Sequence, residues 1–188
     1  MAAQRAGREA GQHLKKVVAL TFDDGPSATF TPQVLDILRE HQAGATFFVV
    51  GKRAEKYPEL IRRMAQEGHE IGNHTFNHPM SPVKPARLAE ELDKTDEVIY
   101  RLTDRHTQYF RPPGGKCTIA TVEPALDKGY KVILWTARED PKDWADPGAK
   151  KSLTGWSTMQ GTAPSSFCTT AAATAPRRWR LCRKSCRD

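Results

Sequence analysis

The stretch Val17-Val18-Ala19-Leu20-Thr21-Phe22-Asp23-Asp24-Gly25-Pro26 decides the fold class of this chain. Its first six residues are apolar or β-branched without clean alternation, which is typical of a buried parallel strand. Asp23 and Asp24 would then lie at the carboxyl end of the strand, and Gly25-Pro26 ends it. Because active sites of α/β folds collect at this end of the strands, the stretch predicts an α/β fold with two carboxylates at its functional edge.

The rest of the body alternates between helix and strand patterns. Thr31-Pro32 predicts an N-cap followed by proline at the first helical position, and Gly68 and Gly129 each end a predicted helix. Strands are expected over 45–50, 70–72, 109–111 and 130–135, and helices over 31–41, 58–68, 85–102 and 122–128. Five β/α units in succession favour parallel strands joined by helical crossovers.

A second polar motif, His74-Thr75-Phe76-Asn77-His78-Pro79, complements the two carboxylates. Two imidazoles four residues apart and one carboxylate form an N,N,O ligand set that leaves a metal position open for water or substrate. The second carboxylate is then free to act as a general base. Solvated turn carboxylates and surface histidines are the alternatives for either motif alone, but their occurrence together at strand ends favours a metal site. The remaining histidines, His13, His41, His69 and His106, lack such partners and are expected to be ordinary surface or hydrogen-bonded residues.

Four motifs in this order carry a family resemblance. Thr21 to Pro26, His74 to Pro79, Arg111-Pro112-Pro113-Gly114-Gly115 and Asp140-x-x-Asp143-Trp144 resemble the first four motifs of the polysaccharide deacetylases. This family comprises the NodB-homology domains or family 4 carbohydrate esterases, and the match runs from Lys16 to about Lys151. The resemblance implies an irregular (β/α) barrel whose motif residues converge at the carboxyl ends of the strands.

The resemblance also implies a role for each motif residue. Asp23 would be the catalytic base, Arg111 would orient it, and Asp24, His74 and His78 would bind the metal. Gly114 would donate its N–H to an oxyanion, although it lacks the aromatic side chain usual at this position. Asp143 would tune a histidine of a fifth motif, and Trp144 would line the pocket.

The implied activity is hydrolysis of N-acetyl groups on a polymer that contains N-acetylglucosamine, such as peptidoglycan or a chitin-type chain. The cofactor would be one divalent metal ion, zinc first, with cobalt or manganese as alternatives. A non-catalytic glycan- or metal-binding relic and an amide hydrolase for a non-sugar N-acyl substrate remain alternatives. Family members usually act outside the cell or at its surface, whereas residues 1–15 form a polar lead without the apolar stretch of a secretory signal, and no run could span a membrane. We expect a monomer.

The carboxyl-terminal residues 152–188 differ from the domain at 16–151. They are rich in Thr, Ala, Pro and Arg, and the chain has no histidine after His106, so the fifth-motif histidine is missing. One interpretation is a disordered basic tail. Another is a one-base slip near Lys150-Lys151, because the neighbouring reading frame permits Leu-Leu-His-Asp and Cys168-Thr169 can give only His or Tyr there. As written, the chain is expected to lack the last strand and its covering helix, which would expose a sheet edge and leave activity impaired.

The same tail accounts for most of the basic charge. The formal net charge is +7, but residues 152–188 hold six Lys and Arg and one Asp, which leaves +2 for residues 1–151. A nucleic-acid partner is therefore not expected. Three of the four cysteines also lie in this tail, so a disulfide framework is not expected either.

Overall fold

The computed structural model describes residues 18–81, 83–135 and 167–172, the last six by their backbone alone. Six strands form one sheet: β1 (Val18–Gly25), β2 (Thr46–Val49), β3 (Glu70–Asn73), β4 (Tyr109–Phe110), β5 (Lys131–Val132) and β6 (Phe167–Ala172). Their spatial order is β5-β4-β3-β2-β1-β6, and every neighbouring pair is parallel. The predicted α/β class is confirmed.

Five helices connect these strands: α1 (Thr31–Glu40), α2 (Gly51–Lys56), α3 (Pro58–Gln66), α4 (Pro85–Thr103) and α5 (Ile119–Asp127). The short α2 was not predicted, because six residues are too few for an apolar period to stand out. The predicted N-cap at Thr31 is wrong, since Phe30 occupies that position without a side-chain cap. The Thr31 hydroxyl instead accepts a hydrogen bond from the Ser27 N–H at 2.8 Å, which orders the turn before the helix.

The hydrophobic core lies against the central strands. Phe22 of β1 stacks on Phe47 of β2 at 5.1 Å between ring centroids, and Leu35 and Leu38 of α1 are fully buried beside them. A second cluster joins α4 and α5 through Leu92, Phe110 and their neighbours. Burial of these apolar surfaces, at about 25 cal/mol per Å², provides the main favourable free energy of folding. The core therefore packs against β1 to β4, next to the edge where the motif residues lie.

Contrary to the expectation of a missing last strand and an exposed sheet edge, a strand from the tail pairs with β1. Phe167–Ala172 pairs with β1 along its length, with Val18 opposite Phe167 and Asp23 opposite Ala172. An open strand edge offers unpaired N–H and C=O groups, and any extended backbone can satisfy them regardless of its side chains. The sheet thus includes six residues beyond the predicted domain boundary at 151.

The register of β6 bears on the hypothesis of a frame slip. Cys168, whose position would carry the restored histidine, lies opposite Ala19. At about 3.3 Å per residue, that level is about 13 Å along the strand from Asp23. The slip itself stays a prediction. A restored fifth motif would need a different register to bring its histidine to the carboxyl end of β1.

The lead at residues 1–15, the rest of the tail, and Asp140, Asp143 and Trp144 lie outside the described residues. Among the helices that are described, none combines the length and the hydropathy needed to cross a membrane.

Candidate metal centre

Three of the predicted residues meet at the carboxyl edge of the sheet. The Oδ1 atom of Asp24 lies 3.3 Å from Nε2 of His74 and 3.0 Å from Nε2 of His78. The two imidazole rings are 4.9 Å apart between centroids, and one ligand atom from each residue lies within 4.8 Å of the others. Two imidazole nitrogens and a carboxylate oxygen are a ligand set that suits zinc and other divalent transition metals. The side chains therefore fit a metal ion.

A bulge in β1 orients the Asp24 side chain towards His74 and His78. Phe22 pairs with Phe47, but Gly25 pairs with Val49, so β1 carries one extra residue between these two points. Asp24 itself has φ of 65°. Its carbonyl oxygen accepts a hydrogen bond from the Arg53 guanidinium of α2 at 2.6 Å, which holds the bulge in place.

His74 follows β3 directly and is almost fully buried. Its Nδ1 lies 2.7 Å from the carbonyl oxygen of Arg111, just after β4. Since a carbonyl oxygen can only accept, Nδ1 donates this hydrogen bond, and Nε2 is the nitrogen that faces Asp24. A backbone contact of this kind fixes the tautomer and the ring orientation that a metal ligand needs.

Asp23 lies beside this cluster but has a different partner. The buried Arg111 guanidinium donates to Oδ1 of Asp23 at 2.7 Å and to the Thr21 hydroxyl at 2.9 Å. The guanidinium also stacks on Phe48, 4.1 Å from its ring centroid, and lies 5.7 Å from the ring of Trp135. Arg111 therefore constrains the orientation of the Asp23 carboxylate.

The two neighbouring carboxyls lie in opposite electrostatic environments. Burial raises the pKa of Asp23 above its ordinary value, and the charges of His74 and Arg111 only partly oppose this. Burial also acts on Asp24, but hydrogen bonds with His74 and His78 outweigh it and hold the pKa of that carboxyl well below its usual range. Environments that drive two adjacent carboxyls apart in pKa are a mark of distinct roles for them.

The third motif places Gly114 in a 3₁₀ turn, Pro113–Gly115, and only Pro112 separates this turn from Arg111. Gly114 is exposed and has φ of 63°, a conformation that suits glycine. A Cβ at this position would meet only the methyl group of Met80, at 3.6 Å, so the turn leaves room where the family's aromatic side chain would stand.

The structure also contains site residues that the sequence did not single out. Asn73 of β3 donates to the carbonyl oxygen of Leu92 and to the Tyr130 hydroxyl, and its side-chain oxygen accepts from the Thr75 N–H. Glu91 of α4 binds the loop that carries His78. A signal was present for Glu91, because a carboxylate stands in the apolar stripe of α4 where a Leu or Ile would be expected.

The expectation of ordinary histidines is wrong for His69. This residue is only 8% exposed, and neither ring nitrogen has a hydrogen-bond partner. It packs edge-on against Phe47, 5.4 Å between centroids. His106 behaves as expected, since its Nδ1 pairs with Asp96 at the surface at 2.6 Å.

Comparison with known proteins identifies the family to which this chain belongs. A family model described as polysaccharide deacetylase matches residues 10–133. The chain belongs to the polysaccharide deacetylase family. The resemblance carried by the motifs is thereby confirmed.

Relatives of known name agree with this assignment. A peptidoglycan-N-acetylglucosamine deacetylase of Bacillus cereus is 42% identical over 136 residues, which cover 72% of this chain and 64% of that protein. A crystal structure of a peptidoglycan N-acetylglucosamine deacetylase, in complex with an N-hydroxybenzamide, matches with a TM-score of 0.78 and 34% identity, covering 88% of this chain and 75% of that one. The chain spans 64% of the length of the first of these relatives and about half of the length of two other Bacillus peptidoglycan deacetylases that it matches.

A second similar structure is that of a family 4 carbohydrate esterase pseudoenzyme from Bacillus anthracis. It matches with a TM-score of 0.76 and 27% identity, over 85% of this chain and 56% of that one. Similarity to this family in sequence and fold therefore extends to a protein described as a pseudoenzyme.

Proposed function

We propose that this protein is a metal-dependent hydrolase that removes acetyl groups from the N-acetylglucosamine units of a polysaccharide. The observation that carries the proposal is the convergence of Asp24, His74 and His78 within ligand distance of one another, with Asp23 clamped beside them by Arg111. The named relatives support peptidoglycan as the first substrate to test, with a chitin-type chain second. We further propose zinc as the metal, a monomeric protein, and a location at the cell surface or outside the cell.

Each residue has a defined task in this proposal. Asp24, His74 and His78 would hold the divalent ion, which when bound polarises a carbonyl oxygen and makes a water molecule more acidic. Asp23 would accept the proton of the attacking water, and Arg111 would keep its carboxylate in line for that transfer. The N–H of Gly114 would stabilise the negative charge that develops on the acetyl oxygen. Trp144 would line the pocket, and Asp143 would tune a fifth-motif histidine that this sequence lacks.

Departure of the amine needs a proton, and the sequence contains no histidine after His106 to deliver it. Loss of one acid–base partner typically lowers a rate by about 10²- to 10⁴-fold. We therefore propose slow turnover for the chain as written. The nucleotide sequence around Lys150 and Lys151 tests the frame slip directly, because codons that forbid Leu-His-Asp in the neighbouring frame would end that hypothesis.

Acetate release tests the activity. The purified protein would be loaded with Zn²⁺, Co²⁺ or Mn²⁺ and incubated with N-acetylated peptidoglycan fragments, with chitooligosaccharides and with non-sugar N-acetyl compounds. We expect release from the glycans that requires metal and disappears in Asp23→Asn. Asp127→Asn, an exposed residue at the end of α5, is the matched control and should keep the activity. Acetate release from the non-sugar compounds alone would instead identify the protein as an amide hydrolase with a non-sugar N-acyl substrate.

The second candidate is a non-catalytic metal- or glycan-binding protein. The missing histidine and the similar pseudoenzyme favour it. Under this alternative the protein binds metal, and a glycan raises its melting temperature, but no acetate is released from any substrate even at high metal concentration.

A further inference from the structure

The loop between β3 and α4 carries the ligand His78 in a conformation that its own residues do not favour. Thr75 has φ of 68° and His78 has φ of 56°, and both lie in the left-handed region that residues with a side chain rarely adopt. Such conformations persist only where surrounding contacts determine them. The contacts around residues 74–79 therefore decide where the imidazole of His78 lies.

This loop is held by the backbone of α2 and by a hydrogen bond within the loop itself. The N–H groups of Gly51 and Lys52, at the start of α2, donate to the carbonyl oxygens of Thr75 and Phe76, each at 3.0 Å. Within the loop, the Thr75 hydroxyl accepts from the N–H of His78 at 3.1 Å. The N–H and the side-chain amide of Asn77 point to the other side of the loop, towards α4.

Glu91 provides that third contact from α4. Its Oε2 accepts the backbone N–H of Asn77 at 2.6 Å, and its Oε1 accepts the side-chain amide of Asn77 at 2.8 Å. Glu91 is only 3% exposed, and Arg87, one turn earlier, lies 3.0 Å from its Oε1. A buried carboxylate that binds one residue through both oxygens fixes its position and its rotation. Asn77 immediately precedes His78. By fixing the position of Asn77, the Glu91 carboxylate therefore also constrains where the backbone of His78 begins.

We infer that Glu91 is a positioning residue for the metal centre, holding Asn77 so that His78 reaches the ion shared with Asp24 and His74. The inference rests on the proposed metal site and adds a residue of α4 that contacts no ligand atom. Removal of groups that orient metal ligands typically costs about 10- to 100-fold in metal affinity. Glu91 should fall in this range although it lies outside the ligand set.

Metal affinity, measured without turnover, tests the inference. Zn²⁺ alone would be titrated into the apo protein in competition with a chromophoric chelator, and the visible spectrum of the Co²⁺-loaded protein would report the ligand geometry. We expect Glu91→Ala to weaken Zn²⁺ binding about 10- to 100-fold and to change the Co²⁺ spectrum. Glu91→Gln should restore most of the affinity, since a glutamine can accept from the Asn77 N–H and pair with its amide after that amide flips.

A matched control separates positioning from stability. Val98 is buried in the core on the same helix, two turns after Glu91, so Val98→Ala destabilises the fold but keeps the Glu91 carboxylate that binds Asn77. It should leave the Zn²⁺ affinity and the Co²⁺ spectrum of the folded protein unchanged. Two results would overturn the inference and leave the proposed function standing: a Zn²⁺ affinity of Glu91→Ala within about twofold of that of the wild type, or an equal loss of Zn²⁺ affinity in Val98→Ala. Wild-type protein that binds no Zn²⁺ would refute the proposed metal site itself.

Discussion

Replacing Arg111 by methionine should destabilise the protein strongly. Arg111 is fully buried and lies 2.7 Å from the Asp23 carboxylate, so the substitution leaves a buried carboxylate without its cation. Breaking a buried ion pair from one side costs about 3–5 kcal/mol, whereas a whole domain is stable by about 5–15 kcal/mol. The methionine keeps much of the apolar contact with Phe48, so the lost charge dominates.

Urea unfolding followed by circular dichroism measures this free energy. Arg101→Met is the control, because Arg101 is 61% exposed and its contact with Glu55 is 3.7 Å long; its effect should stay within about 0.5 kcal/mol. The double variant Asp23→Asn with Arg111→Met should be more stable than Arg111→Met alone, since the unpaired charge is removed. A loss below about 1 kcal/mol for Arg111→Met, or no recovery in the double variant, would refute the interpretation of a buried pair.

Three further outcomes are expected. Zn²⁺ at about 100 times its dissociation constant should stabilise the protein by about 2.7 kcal/mol, seen as a rise in melting temperature that EDTA reverses; His78→Ala should abolish the rise. Gly115→Ala should destabilise by about 1–3 kcal/mol, because its Cβ would lie 2.7 Å from the Trp135 ring at a residue with φ of 64°. Gly44→Ala, with nothing within 4 Å of its Cβ, should be neutral or mildly stabilising in the same urea assay, and equal effects of the two would contradict the argument. Burial lowers the pKa of His69 in the folded state. The unfolded state therefore binds the proton first, so stability should be lost as pH falls below the unfolded pKa of about 6.5. His69→Leu should flatten this part of the curve of unfolding free energy against pH. An unchanged slope would contradict the argument that the buried His69 imidazole causes the loss.

Local patterns were sufficient for most of the secondary structure. The β1 strand, α1, α3 and α4 follow from apolar runs and periods that depend only on neighbours in the chain. The same patterns missed α2, because a six-residue helix is too short to show an apolar period. They also misplaced the cap of α1, because the position of Thr31 depends on a single hydrogen bond in the preceding turn. They also missed β6, since its pairing satisfies the edge of β1 through backbone groups that any sequence carries.

The donor chemistry of the site was determined by the sequence alone. Aspartate and histidine at these spacings specify which atoms can bind a divalent ion, and that property belongs to the side chains themselves. Only the tertiary structure decided how the aspartate oxygens and the histidine nitrogens are oriented relative to one another. The contacts of Arg111 with Thr21 and Asp23, and of Glu91 with Asn77, join residues far apart in the chain. Such contacts depend on the parallel register of the strands and on the bulge at Asp24, which no local pattern contains.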